Sequence, residues 1–116
     1  MNDQEWIFGI DGGGTSTRLR IESLEGKVLY QAEGSSLNPR SVGWNGSRKT
    51  LDDLFLRMYK STNLSTNDCI SGFAGVAGID READTGTMRS IIRDAGNLGF
   101  DTLIEVKNDS IPALAG

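Results

Sequence analysis

Trp6-Ile7-Phe8-Gly9-Ile10-Asp11-Gly12-Gly13-Gly14-Thr15-Ser16-Thr17 joins an apolar run to an alternating one through three consecutive glycines. The run Trp6 to Ile10 is short, nearly continuous and closed by an aspartate, the pattern of a strand buried on both faces and therefore central in a sheet. From Thr17 the period changes. Thr17, Leu19 and Ile21 alternate with Arg18, Arg20 and Glu22, and after Leu24-Glu25-Gly26-Lys27 the residues Val28 to Ala32 return as a third strand. The chain is thus expected to open as an antiparallel meander with Gly12 to Gly14 in its first turn.

Beyond the meander, Asn38 to Gly46 reads as a polar, turn-rich loop. Leu51, Leu54, Phe55 and Met58 then fall at i, i+3, i+4 and i+7, the stripe of an amphipathic helix for which Ser47 is a cap candidate. After a polar loop from Asn63 to Asp68, Cys69 to Ala74 reads as a fourth strand running into Gly75-Val76-Ala77-Gly78. Met88, Ile91, Ile92 and Ala95 repeat the helical spacing, and Gly96 to Gly99 supplies the stop signals. Leu103 to Val106 is a fifth strand, and Asn108-Asp109-Ser110 offers caps to a helix beginning near Ile111-Pro112. A helix that short is not stable alone, so residues 1–116 are expected to be one domain of a longer protein. The order predicts an α/β fold in which a mixed sheet is flanked by helices, with ligands gathering where Asp11, Gly75 to Gly78 and Asp109 lie, at strand carboxyl ends.

Composition narrows the class of ligand. Twelve Lys and Arg against 16 Asp and Glu give a net charge of −4 without a run of like charge, which argues against nucleic acid and membrane-surface partners and for a small molecule. One cysteine cannot form an internal disulfide, and no window reaches the about 18 uninterrupted apolar residues of a membrane span. The start Met1-Asn2-Asp3-Gln4-Glu5 lacks the basic opening and apolar run of a signal peptide, so a cytoplasmic location is expected.

The triple glycine is the first candidate for chemistry. Backbone amides in such a turn can form a concave nest for phosphate oxygens, with Thr15 and Thr17 adding hydroxyls, although a hairpin turn also draws glycine. It is neither a Walker A loop nor a dinucleotide fingerprint, because a strand pattern follows it. Asp11, at a strand end, suits Mg2+ held through water. Asp109 can accept a proton from an attacking hydroxyl or simply cap a helix. Asn38 can bind sugar hydroxyls or serve as a turn residue before Pro39, and Gly78 can admit a ligand close to the backbone or merely suit a strand-to-helix loop. Cys69, Trp6 and Trp44 read as packing residues.

Taken in order, Ile10-Asp11-Gly12-Gly13-Gly14-Thr15 with Thr17, Gly34 to Asn38, Phe73 to Gly78, and Asn108-Asp109 with Ala113 to Gly116 resemble the N-acetylglucosamine kinases of the BadF/BadG/BcrA/BcrD ATPase family. The resemblance runs through essentially the whole chain and implies the ribonuclease-H-like domain of an actin-like ATPase fold, with three antiparallel strands followed by two parallel ones. It also implies ATP and Mg2+ as cofactors and a small amino sugar as substrate. Gly13, Gly14, Thr15 and Thr17 would take the ATP phosphates, Asp11 the metal side, Asn38, Gly78 and Asp109 the sugar, and Asp109 would be the catalytic base. A second glycine-rich motif and the adenosine pocket of that family would lie beyond Gly116, so this piece alone is expected to be inactive. The oligomeric state is left open between monomer and homodimer. Two other classes remain: an ATPase that activates a CoA-ester dehydratase or reductase, which would want cysteine ligands for an iron-sulfur cluster, and a non-catalytic sugar-binding regulator. A ribonuclease-H-type nuclease would need several clustered carboxylates, and the fourth strand ends in glycine.

Overall fold

A computed structural model describes residues 4–108. It contains strands β1 (Trp6–Gly12), β2 (Thr17–Ser23) and β3 (Val28–Gly34), helix α1 (Pro39–Ser61), strand β4 (Cys69–Val76), helix α2 (Glu82–Ala95) and strand β5 (Leu103–Asn108). The strands form one sheet in the order β3-β2-β1-β4-β5. Antiparallel pairing joins β1 to β2 and β2 to β3, while β1, β4 and β5 run parallel. The expected meander and central first strand are both present.

Three boundaries differ from the expectation, each for a local reason. Gly12 still belongs to β1, so the turn is confined to Gly13 to Ser16. Helix α1 starts at Pro39 rather than near Ser47, because Asn38 is the cap: its side chain accepts the Arg40 N–H at 2.8 Å, and Pro39 brings a φ suited to a first turn. The start was hidden by a kink at Gly43, whose φ of 73° breaks the periodicity. Helix α2 begins at Glu82, one turn and a half before the apolar stripe, behind Arg81, which makes no side-chain cap. At its end the left-handed residue is Asn97, not a glycine.

Both helices contribute to the same core. Trp6, Phe8 and Ile10 of β1 and Leu19 and Ile21 of β2 are buried with Leu51, Leu54, Phe55 and Met58 of α1 and Met88 and Ile92 of α2. Phe8 meets Phe55 edge-on with centroids 5.8 Å apart, and the Trp6 indole N–H donates to the Ser65 carbonyl at 2.8 Å. The other face of β1, carrying Ile7, Gly9 and Asp11, is only half-buried, so the strand is not covered equally on both sides.

Cys69 is a free, buried core thiol, and burial pushes its pKa up to about 12. Tyr59, whose hydroxyl donates to the Gly96 carbonyl at 2.7 Å, is also raised, first by burial and then by Cys69. Both groups titrate later in the folded chain than in the unfolded one. The Cys69 stabilisation is complete below the ordinary thiol pKa of about 8.5 and is lost as pH rises from there toward 12, whereas that of Tyr59 starts to be lost only above the ordinary phenol pKa of about 10. We expect urea midpoints to hold from pH 7 to 8.5 and then fall, with Cys69 contributing on the order of 1–2 kcal/mol by pH 10. Cys69→Ala should flatten the alkaline slope, and an equal slope in both proteins would count against this cause.

Candidate functional site

Strand register brings four carboxyl ends to one edge of the sheet. Gly12 pairs with Thr17 and Thr17 with Gly34 on one side; Gly12 pairs with Val76 and Val76 with Asn108 on the other. The chain leaves the sheet at this edge after β1, β3 and β4, and β5 ends there. The glycine turn, the Ser35–Asn38 loop and the Ala77–Gly78 loop are therefore neighbours, although they are far apart in sequence. Asp109 lies outside the described residues, as does the expected helix after it; Asn108, just before it, ends β5 at this same edge.

The turn after β1 is a tight hairpin. The Gly13 N–H donates to the Ser16 carbonyl at 3.0 Å, which leaves Gly14 and Thr15 as an exposed two-residue tip. The Gly13 amide, expected to face phosphate, is thus already used by the turn. The glycines differ in what requires them. A Cβ on Gly12 would press on Leu37 at 3.1 Å, so packing demands glycine there. A Cβ on Gly13 would meet only the Ser16 carbonyl at 3.6 Å, and one on Gly14 nothing within 4 Å. Neither has a positive φ. The fold itself does not need glycine at these two positions, and the room they leave is what a phosphate approaching the backbone requires.

Thr17 departs from its expected role. It is 1% exposed and its hydroxyl donates to the Ser35 carbonyl at 2.7 Å, so it anchors the neighbouring loop instead of facing a ligand. Asp11 sits half-buried on β1 opposite Arg18, whose guanidinium pairs with Glu33 at 3.4 Å. No group of three metal-ligating side chains occurs among the described residues. Mg2+ keeps most of its waters and binds through few protein oxygens, so a lone carboxylate such as Asp11 is compatible with that ion.

The local role of Asn38 is that of a helix cap: its Oδ1 accepts the Arg40 N–H, and its side-chain amide lies against Gly78, where a Cβ would collide with it. Gly78 also has a φ of 89°, so both conformation and space call for glycine. A second link between these loops is the 2.7 Å ion pair of Arg40 and Asp80, both more than half exposed.

Sequence reasoning missed the residues that hold this loop. The Ser36 hydroxyl donates to the Gly14 carbonyl at 3.1 Å and accepts the Asn38 N–H at 3.1 Å. Thr50 donates to the Ser36 carbonyl and Ser47 to the Leu37 carbonyl, both at 2.9 Å and both buried. Ser47 is thus an interior helix residue bonded to the loop, not a cap. The available signal was two small hydroxyl residues three apart beside an apolar stripe, on a face that should otherwise be apolar.

No family model matches this chain. It is 32% identical over 112 residues, 97% of its length, to the N-acetylmuramic acid/N-acetylglucosamine kinase of Clostridium acetobutylicum, of which it covers 36%. The chain therefore spans about a third of the length of the curated relative it matches. Among solved structures, it superposes on a protein assigned as N-acetylglucosamine kinase from Chromobacterium violaceum with a TM-score of 0.64 at 23% identity, over 99% of this chain and 39% of that one. A reductive activator for a corrinoid iron-sulfur protein matches with the same TM-score at 9% identity, over 91% of this chain and 23% of that one. Likeness at such identities speaks for the fold alone. Among the described residues, an antiparallel three-stranded meander followed by helix, strand, helix and strand, the last two strands parallel to the first, gives the ribonuclease-H-like fold of actin-like ATPases.

Proposed function

We propose that this chain is the phosphate- and sugar-binding part of an ATP-dependent carbohydrate kinase acting on N-acetylglucosamine or a related amino sugar. The observation that carries this reading is the meeting, at one sheet edge, of an exposed turn whose glycines the fold does not require with the Asn38 and Gly78 loops. The identity to the Clostridium acetobutylicum kinase supports the amino sugar as substrate class.

In this reading the Gly14 and Thr15 amides bind phosphate oxygens of ATP, and Asp11 holds Mg2+ through its waters. The metal, when bound, would supply charge neutralisation at the phosphates. Asn38 orients the sugar through amide donors left over from helix capping, and Gly78 makes room for that side chain. Asp109, one residue past the end of β5, accepts the proton of the attacking hydroxyl. Positioning and electrostatics then carry most of the rate enhancement, as is general for phosphoryl transfer. Activator chemistry gains no support within this chain, since its one cysteine is buried in β4. No helix among the described residues is long and apolar enough to cross a membrane.

The test is ADP release by the purified full-length polypeptide with ATP and Mg2+, in the presence and absence of N-acetylglucosamine, N-acetylmuramic acid and glucose. We expect release to depend on an amino sugar. Hydrolysis of ATP that no sugar stimulates would overturn the kinase reading and favour the activator class.

A further inference from the structure

We propose that Ser36 is a positioning residue that couples the phosphate turn to the sugar loop, so that occupancy of one prepares the other. The inference rests on the kinase reading above. It starts from a single hydroxyl with two bonds of 3.1 Å, one given to the Gly14 carbonyl and one taken from the Asn38 N–H. Ser36 is 8% exposed, so water competes little for either bond.

The partners make the bridge consequential. The Gly14 carbonyl and the Thr15 N–H belong to one rigid peptide plane, so fixing the carbonyl inward turns the Thr15 N–H the opposite way, toward where phosphate would sit. On the other side, the Asn38 N–H is held immediately behind the side chain proposed to meet the sugar. The bridge itself cannot drift with the tip. Thr50 holds the Ser36 carbonyl, Ser47 holds the Leu37 carbonyl, and the fully buried Leu37 side chain lies against Gly12. The tip is the exposed partner, and the hydroxyl is the direct polar link between Gly14 and Asn38. A phosphate that orders the Gly14–Thr15 peptide also orders the Ser36 hydroxyl and, through it, Asn38.

The measurement is the dissociation constant of N-acetylglucosamine for the full-length protein, with and without a saturating non-hydrolysable ATP analogue and Mg2+. In the wild type the analogue should tighten sugar binding about fivefold or more, within the range usual for coupled sites. Ser36→Ala should bring that ratio to within about twofold of one, and Ser36→Thr, which keeps the hydroxyl, should retain it. The ratio separates coupling from mere loosening, because a purely structural role would weaken both states alike. A Ser36→Ala protein with the wild-type ratio would overturn the proposal, whatever its melting temperature. So would loss of the ratio in both variants. Wild-type protein that binds both ligands independently would also refute the coupling while leaving the kinase reading intact; wild-type protein that binds neither removes both.

Discussion

Asp109→Asn in the full-length protein is expected to lower kcat with N-acetylglucosamine by on the order of 100-fold or more, with little change in melting temperature. The two roles open to this residue predict different outcomes. As a helix cap, Asp can be replaced by Asn almost without loss, since both side chains accept the same backbone N–H. As a base it cannot, because the neutral amide has no comparable affinity for the proton leaving the sugar hydroxyl. Its position in the chain agrees with the second role: β5 ends at Asn108, level with Val76 and Gly12, on the edge that carries the glycine turn and Asn38. The check is steady-state kinetics beside a thermal melt. A variant that phosphorylates the sugar at near wild-type rate returns Asp109 to the cap reading.

Gly72→Ala is expected to be the most damaging small substitution in the described core. Gly72 faces Phe8 across the parallel β1–β4 pair, and a Cβ there would collide with the ring. The ring is packed against the core on its other side. Phe8 is 4% exposed and meets Phe55 edge-on, and Phe55 is in turn stacked on Tyr59 with centroids 6.4 Å apart. Overpacking of this kind costs about 1–3 kcal/mol, which for a domain of this size corresponds to a melting point lower by roughly 5–20 °C. Phe8→Leu in the same chain should recover part of the loss, because the two positions contend for one volume. The double mutant should then be more stable than additivity predicts, by about 0.5 kcal/mol or more. Strictly additive melting shifts would show that the clash is relieved elsewhere.

The site was partly legible. Gly13, Gly14 and Thr15 stood out because three glycines exceed what a hairpin asks for, and the structure separates Gly12, needed by Leu37, from Gly13 and Gly14, needed by nothing in the fold. Thr17 was misread because its sequence position beside the turn gave no hint that the Ser35 carbonyl lies above it. Ser36 left no trace. A serine in a polar loop looks like any other until the strand register sets Gly34 beside Thr17 and brings Gly14, 22 residues earlier, within reach.

What the sequence by itself determined is whatever local periodicity can carry. The apolar run Trp6 to Ile10, the alternation from Thr17, and the stripes at Leu51 to Met58 and Met88 to Ala95 specify the first two strands, the two helices and the core faces of β2, α1 and α2, because burial selects period two or 3.6 residue by residue. The tertiary structure alone decided which loops share an edge and which side chains tie them together. Those outcomes depend on hydrogen bonds and ion pairs between residues 10 to 40 positions apart, such as Ser47 with Leu37 and Arg40 with Asp80. Such partners become defined only when the order β3-β2-β1-β4-β5 is set, since pairing register, rather than any local preference, places one strand end beside another.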